Sequence, residues 1–341
     1  MIKPEHLNKG DKVALVSLSW GGLGKPEFIH KYEIAKKRLL DEFGIELVPM
    51  PHALLGEKYV AEHPEDRASD LMEAFKDPTI KGIFCAIGGD DTIRTLPYID
   101  FDVIKNNPKI FMGYSDTTIN HFMMHKAGLV SYYGPTVMCE FGEYVKMFDY
   151  TKEAVISILF NDSKDLEIKS SPEWSNHFVP WDIKNINVSK RMIKEEHGYE
   201  IIQGNGVVRG PVLGGCIDVF YMAYDTSIWP TDWENKILLL ETSEVEMKPE
   251  ELRDMLIQVG KKEVFDKVLG IIVGKPYQGT YYDEYKTVIK DVLKMFNKED
   301  LPVLYNVNIG HAFSSGIIPL GVEMEVDYDN KKIKLLESAT K

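Results

Sequence analysis

Cysteine is scarce in this sequence, which contains only three among 341 residues. Cys85, Cys139 and Cys216 are far apart, so no two of them have the short spacing of a metal-binding or redox pair. Cys85 lies inside the apolar run 82–88, where a buried structural thiol is the expected role. The sequence therefore predicts neither a disulfide framework nor a cysteine metal site.

Long apolar runs and an excess of basic residues are also lacking. No stretch approaches the roughly 18 apolar residues of a membrane helix, and the first six residues lead into charge rather than into the apolar core of a signal peptide. We therefore expect a cytoplasmic protein without a membrane partner. The 40 Lys and Arg residues against 53 Asp and Glu give a formal net charge of −13, which argues against a nucleic-acid partner.

Short apolar segments alternate with amphipathic ones over residues 1–160. The pattern predicts strands at 12–19, 45–50, 82–88, 109–112 and 130–133, with helices between most of them. The segment 82–88 is apolar on both faces, as is typical of a parallel sheet covered by helices on both sides. We predict an α/β chain with a Rossmann-like N-terminal domain, residues 1–160, built on a mainly parallel sheet.

The composition changes after this domain. Residues 161–204 are rich in Lys, Ser, Asn and Glu without sustained periodicity, and we interpret them as a connecting segment and substrate loop. Phe178 and Trp181 in this segment would either offer a flat face to a planar ligand or pin the loop to the body. Periodicity returns over residues 205–341, which predict a second, mixed α/β C-terminal domain.

Ser115 stands between the apolar strand at 109–112 and a predicted helix that starts at Asp116. With Gly113 two positions before it, such a corner projects the hydroxyl above the sheet edge and leaves the next N–H free at a helix N-terminus. These are the requirements of a nucleophile and half of an oxyanion hole. Helix capping by Ser115, Asp116 and Thr117 is the competing interpretation.

Two glycines, Gly88 and Gly89, end the neighbouring predicted strand. Ligands of open α/β sheets bind beyond the carboxyl ends of the strands, so this loop and Ser115 would face the same crevice. Adjacent backbone amides without side chains could complete an anion-binding nest, and a tight turn is the alternative. Asp90 and Asp91 follow without further ligands nearby, which favours a helix N-terminal pair over a metal site.

A nucleophilic serine needs a base, and the base needs a group that orients it. Glu241 and His311 each end a predicted strand of the second domain, in the chain order Ser, Glu, His. Taken singly, a helix-cap acid and a turn histidine would explain them. His121 and His125 compete as a zinc pair four residues apart, but no Glu follows His121 as the zinc motif requires.

Two other classes of function deserve comparison with a hydrolase. A nucleotide-cofactor oxidoreductase is disfavoured because the glycines after the first strand, at 21, 22 and 24, do not form the dinucleotide-binding fingerprint. A non-catalytic binding module would be indicated by the loss of one member of the triad. All three members are present.

Five motifs in chain order resemble those of the LD-carboxypeptidase family of serine peptidases. They are Ile-Gly-Gly-Asp-Asp at 87–91, Gly-Tyr-Ser-Asp-Thr-Thr at 113–118, Gly-Pro-Val-Leu-Gly-Gly-Cys at 210–216, Leu-Leu-Glu-Thr at 239–242 and Asn-Ile-Gly-His-Ala at 308–312. The resemblance implies a triad of Ser115 as nucleophile, His311 as general base and acid, and Glu241 as the group that orients His311. It also implies that no metal or organic cofactor takes part and that the protein forms a homodimer.

The same resemblance implies which groups meet the substrate. The backbone N–H groups of Gly89 and Asp116 would form the oxyanion hole, and Gly88, Phe178 and Trp181 would contact the substrate. Phe178 and Trp181 resemble the loop aromatics that stack on a nucleobase in the microcin C immunity type of the family. That type cleaves a bond between a C-terminal acidic amino acid and a nucleotide-like group.

A murein tetrapeptide LD-carboxypeptidase, which releases D-alanine, is the alternative activity within the family. The loop at 87–91 departs from that branch, which usually has Arg-Gly-Gly-Tyr-Gly there. A small peptide or a peptidyl-nucleotide is therefore the expected substrate partner, with the nucleotide-bearing class favoured.

Overall fold

The computed structural model describes residues 1–341. In chain order the strands are β1 (Lys12–Val16), β2 (Glu46–Pro49), β3 (Ile80–Cys85), β4 (Ile110–Gly113), β5 (Ser131–Tyr133), β6 (Glu167–Ile168), β7 (Glu173–Trp174), β8 (Ile193–Lys194), β9 (Glu200–Gln203), β10 (Val207–Cys216), β11 (Ile237–Glu241), β12 (Gly270–Gly274), β13 (Val303–Val307), β14 (Ile318–Leu320), β15 (Glu323–Asp327) and β16 (Lys332–Leu335). The helices are α1 (Ile29–Arg38), α2 (Glu57–Glu62), α3 (Pro64–Lys76), α4 (Phe101–Asn106), α5 (Thr117–Ala127), α6 (Asp149–Leu159), α7 (Pro249–Lys261), α8 (Val264–Lys267) and α9 (Tyr282–Met295).

The first sheet has six strands in the order β14-β5-β4-β3-β1-β2. The five strands from the N-terminal part of the chain run parallel, and β14 joins β5 antiparallel. The predicted Rossmann-like arrangement with a mainly parallel sheet is confirmed. Because the carboxyl ends of β3 and β4 meet at one edge, the loop after Cys85 and the corner after Gly113 become neighbours.

The second sheet has eight strands in the order β6-β16-β15-β10-β11-β12-β13-β9, and a separate two-stranded sheet pairs β7 with β8. Strands β10 to β13 are parallel to one another, whereas β15, β16, β6 and β9 pair antiparallel. This is the mixed α/β arrangement predicted for the C-terminal part. Glu241 is the last residue of β11, so the parallel core of this sheet presents it at a strand end.

Alternate residues of the central strands enter two different cores. Val13 and Leu15 of β1 pack into one apolar cluster, while Ala14 and Val16 pack into the other. The strand period of two places successive side chains on opposite faces. Both faces of the sheets are therefore covered, as the continuously apolar strands predicted.

The strands do not follow the predicted domain boundaries of 160 and 204. Strand β14 comes from the C-terminal part of the chain and completes the first sheet, and both β6 and β9, from the predicted connecting segment, lie at edges of the second sheet. Short edge strands carry little local signal, because partners distant in sequence decide where they pair.

The C-terminal part opens with the ten-residue strand β10, and a 3-10 helix, Ile217–Met222, follows it. Two local predictions need correction. The helix predicted after the Gly88 loop is a 3-10 helix, Thr92–Tyr98, which contains Pro97. Residues 161–204, predicted to be without periodic structure, contain four short strands. None of the helices is long and apolar enough to cross a membrane.

Candidate active site

Ser115 occupies a strained corner between β4 and α5. Its φ of 64° lies in the left-handed region, which residues other than glycine adopt at a cost in conformational energy. Strand β4 ends at Gly113, where a Cβ would stand 2.8 Å from Thr117 Oγ1, so the first turn of the helix needs a glycine there. The corner has the strand-turn-helix form of a nucleophile elbow, with Ser115 half-buried at its tip.

The Gly88 and Gly89 loop lies directly against this corner. A Cβ on Gly88 would stand 2.5 Å from Ser115 Cβ, and a Cβ on Gly89, whose φ is 149°, would stand 2.3 Å from Ser19 Oγ. The amides of Gly89 and Asp116 donate no hydrogen bond within the chain. Both are therefore free to donate to a negatively charged oxygen beside Ser115.

The side chain of Asp116 joins this loop to the start of α5. It is fully buried, and its Oδ2 accepts hydrogen bonds from Ser19 Oγ at 2.6 Å and from the Thr92 N–H at 2.8 Å. Burial raises the pKa of Asp116 above its usual value. Ser19, which we did not predict as a site residue, fixes the two amide-bearing segments relative to each other.

Glu241 and His311 form a buried pair. Glu241 Oε2 is 2.8 Å from His311 Nδ1 and also accepts the His311 backbone N–H at 3.3 Å. Between β13 and His311 lies Gly310, whose φ is 63° and whose Cβ, if present, would stand 2.3 Å from the Glu241 carboxyl carbon. The structure thus brings together Glu241 and His311, which are distant in sequence, at the end of β11 and beyond the end of β13, between which β12 lies in the second sheet.

Tyr133 connects this pair to Ser115. Its hydroxyl donates to Glu241 Oε1 at 2.5 Å and accepts the Ser115 backbone N–H at 3.2 Å. Burial raises the pKa of Tyr133 well above its usual value, so it remains a donor. Tyr133 was not predicted as a site residue, because only the pairing of its strand with β4, opposite Gly113, brings its hydroxyl to this place.

Glu244 is the third site residue that was not predicted. Its Oε2 lies 3.0 Å from His311 Nε2, the nitrogen that a triad would turn toward the serine. The hydrogen bond from His311 lowers the pKa of Glu244 to about 2. Burial alone would lower the pKa of His311, but Glu241 and Glu244 outweigh it and raise that pKa well above its usual value.

One group of side chains near the triad has the spacing of metal ligands. Ligand atoms of Cys216, Glu241 and His311 lie within 4.8 Å of one another. Burial raises the pKa of Cys216 well above its usual value, so its thiol stays protonated, whereas metals bind the thiolate. Glu241 and His311 already pair with each other, and the chemistry of this set therefore favours a triad over a metal centre.

The histidines predicted as poor zinc ligands are engaged elsewhere. His121 is fully buried, with Nδ1 at 2.8 Å from Ser131 Oγ and Nε2 at 2.9 Å from the Gly113 carbonyl. His125 Nε2 pairs with Asp232 at 2.9 Å. Both ring nitrogens of His121 are occupied, so its role is to brace α5 against β4.

Trp181 packs against the body of the protein. Its ring stacks on Trp20 at 6.4 Å between centroids with an interplanar angle of 28°, and it meets Phe28 edge-on at 6.0 Å. Phe178 is 39% exposed and contacts Trp181 edge-on. The backbone N–H of Trp20 donates to the Gly88 carbonyl at 3.1 Å. Trp181 therefore pins the segment to the body, one of its two predicted roles, and does so beside the Gly88 loop.

Profiles of two domains match the chain. The LD-carboxypeptidase N-terminal domain matches residues 13–134 and the LD-carboxypeptidase C-terminal domain matches residues 209–326. The microcin C7 self-immunity protein MccF of Escherichia coli is 31% identical over 280 residues, 80% of this chain and 78% of that protein. A probable murein peptide carboxypeptidase of Bacillus subtilis is 26% identical over 333 residues, 96% of this chain and 92% of that protein.

Solved structures show the same similarity over the whole chain. An MccF-like protein from Streptococcus pneumoniae in complex with AMP has a TM-score of 0.88 and 34% identity, covering 95% of this chain and 98% of that one. MccF in complex with aspartyl sulfamoyl adenosine has a TM-score of 0.87 and 27% identity, covering 100% of both chains. Since the two profiles together match more than half of the sequence, the chain belongs to the LD-carboxypeptidase family and is a serine-type carboxypeptidase.

Proposed function

We propose that the protein hydrolyses the bond between an amino-acid carbonyl and a nucleotide-like group, with Ser115, His311 and Glu241 as a catalytic triad. The observation that carries the proposal is the convergence of the strained Ser115 corner with the buried Glu241–His311 pair, joined through Tyr133. A nucleophile, an oriented base and two free amides at one place are the parts that acyl transfer requires.

In the proposed first step, His311 Nε2 takes the proton of Ser115 Oγ while the oxygen attacks the substrate carbonyl carbon. The N–H groups of Gly89 and Asp116 then receive the negative oxygen of the tetrahedral intermediate. His311 returns the proton to the leaving group, and an acyl-enzyme remains. Water activated by His311 attacks the acyl-enzyme in the same way and releases the amino acid. Glu241 fixes the ring orientation throughout.

The nucleotide part of the proposal is supported by the aromatic cluster beside the Gly88 loop. Trp20 and Trp181 present ring surfaces next to the backbone that would hold the oxyanion. Stacking on a tryptophan suits any nucleobase, since every base has a π face. The relatives solved with AMP and with aspartyl sulfamoyl adenosine are similar to this chain over nearly its whole length.

Release of D-alanine from murein tetrapeptide is the second candidate. It is favoured by the similarity to a probable murein peptide carboxypeptidase, which extends over 96% of this chain. The same triad and oxyanion hole would serve it, because both reactions transfer an acyl group to serine. The two candidates differ in the acyl group and in the leaving group that the cleft would hold.

The decisive test compares both substrates on one preparation. We expect the wild-type protein to hydrolyse aspartyl sulfamoyl adenosine faster than muropeptide, and Ser115→Ala to reduce turnover about 10⁴-fold or more. Product release measured by chromatography gives kcat and KM for each. Ser157→Ala, on α6, serves as the control and should leave both unchanged. Undiminished turnover by Ser115→Ala would remove this residue from the mechanism.

We also infer a cytoplasmic homodimer that works without metal or organic cofactor. The scarcity of cysteine and the resemblance described above support this inference, and no part of the proposed mechanism depends on it.

A further inference from the structure

We propose that Glu244 is a specificity-determining residue, which holds Nε2 of His311 in the free enzyme and releases it on pairing with the α-amino group of the substrate. The enzyme would thus prefer acyl groups with a free ammonium beside the scissile carbonyl. This inference rests on the proposed triad, because it assigns Glu244 a role through His311.

The contact lies where the serine must bind. Glu241 occupies Nδ1 of His311 at 2.8 Å, and Glu244 occupies Nε2 at 3.0 Å, so both ring nitrogens point at carboxylates. General-base catalysis requires Nε2 to bond the Ser115 hydroxyl. Glu244 must therefore leave this nitrogen before the first step.

The Glu244 side chain is free to move while its backbone is anchored. The side chain is 59% exposed. The preceding residue, Ser243, is buried, its hydroxyl donates to Asp218, and its oxygen accepts the Val245 N–H at 3.3 Å. A change of rotamer at Glu244 can therefore release Nε2 without moving the loop.

The charges around His311 determine which substrate group can replace the imidazole as the partner of Glu244. The titratable groups nearest the ring or its partners are Glu241 at the end of β11, Glu244 in the loop after it, Tyr114 before the serine corner, Tyr133 on β5, Cys216 at the end of β10, and Asp218 in the 3-10 helix that follows β10. No lysine or arginine is among them. The two carboxylates of Glu241 and Glu244 contact a single imidazole, so a substrate carboxylate would be repelled here and an ammonium attracted.

Substrate chemistry supplies that ammonium at the right place. In an aminoacyl nucleotide analogue with a free N-terminus, the amino group is attached to the carbon next to the scissile carbonyl. When that carbonyl meets Ser115, the amino group necessarily lies near the same reacting atoms. Pairing with Glu244 would then compensate for the loss of its contact with His311, and an N-acylated substrate would lack this compensation.

The first experiment measures the preference for the free amine. kcat/KM is determined for aspartyl sulfamoyl adenosine and for its N-acetyl derivative, with wild-type protein, Glu244→Gln and Glu246→Gln. We expect the wild type to favour the free amine by about tenfold or more, and Glu244→Gln to lose most of this ratio. Glu246→Gln is the matched control, because Glu246 accepts from Thr280 at 2.6 Å and should retain the ratio. If Glu244→Gln kept the full wild-type ratio of kcat/KM for the free amine over the N-acetyl derivative, the inference would be overturned.

A second readout needs no turnover. Loss of the Glu244 charge lowers the pKa of His311, and the base must be neutral to act, so the acidic limb of kcat/KM should shift to lower pH in Glu244→Gln. NMR titration of the His311 ring in the free protein reports the same shift. If the pKa of His311 is the same in Glu244→Gln as in the wild type, Glu244 does not restrain the base in the free protein.

Calorimetric binding of the two compounds to Ser115→Ala separates this inference from the proposed function. If Ser115→Ala binds the free amine more tightly but the wild type hydrolyses neither compound, the proposed hydrolysis is contradicted and the role of Glu244 is supported. Equal binding of both, or binding of neither, would overturn the inference, whatever the catalytic result.

Discussion

At the scale of single residues, the geometry around Ser115 depends on glycines, which have no side chain to fill the space that the site needs. Gly88 is buried against the serine, and Gly310 allows His311 to approach the Glu241 carboxylate. The sequence predicted Ser115, Glu241 and His311 as candidate site residues because each lies at or after the end of an apolar strand. It did not identify Tyr133, Ser19 or Glu244, since a tyrosine, a serine and a glutamate are common in loops and strand ends and no local pattern distinguishes them.

Gly88→Ala should inactivate the enzyme while leaving it folded. The new Cβ would stand 2.5 Å from Ser115 Cβ and 2.7 Å from its Oγ, so either the serine or the oxyanion loop must move. Misplacement of one oxyanion donor typically costs about 10²–10³-fold in kcat, and steady-state kinetics would measure it. Gly82→Ala, on β3 with its nearest neighbour at 3.4 Å, is the matched control. Full activity of Gly88→Ala would show that the loop has room to yield.

At the scale of elements, residues 161–204 do more than connect two sheets. The backbone of Ser175 donates to the Phe313 carbonyl at 2.7 Å, and the Ser171 N–H donates to Asn308 Oδ1 at 2.9 Å, so the segment lies against the loop that carries His311. Further along the same segment, Trp181 stacks on Trp20. The segment therefore contacts both the base-bearing loop and the aromatic cluster beside the oxyanion loop.

Trp181→Ala tests whether this segment also recognises a nucleobase. If the ring stacks on the base, KM for aspartyl sulfamoyl adenosine should rise about tenfold or more, since such stacking is worth about 1–3 kcal/mol, while KM for a plain peptide should change less. Ile183→Ala, which removes an exposed apolar side chain from the same segment, is the control. An equal loss for both substrates would assign Trp181 only the anchoring role.

At the scale of the whole molecule, the two sheets are joined by a shared strand and by shared apolar cores. Strand β14 carries C-terminal residues into the first sheet, and each apolar cluster takes side chains from both sheets, such as Leu15 with Leu239 in one and Val16 with Leu240 in the other. The Tyr132 hydroxyl also donates to the Ala339 carbonyl at 2.8 Å. The parts of the site are consequently fixed relative to each other by a common core.

Calorimetry should therefore show a single unfolding transition. Ile318→Ala, in fully buried β14, should lower the free energy of unfolding by about 2–5 kcal/mol and shift that transition as a whole. Ile183→Ala should leave it within about 0.5 kcal/mol. Two transitions, of which only one responds to Ile318→Ala, would mean that the sheets unfold independently.

The sequence by itself determined the α/β class, the parallel strands and the strand-end positions of Ser115, Glu241 and His311. These follow from local periodicity and from the rule that parallel strands present their carboxyl ends at one edge. It could not place β14, β6 and β9, because short strands pair according to partners far away in the chain. Only the tertiary structure decided that Tyr133 joins Ser115 to Glu241 and that Glu244 occupies Nε2 of His311, because such contacts depend on distances between elements that no local pattern encodes.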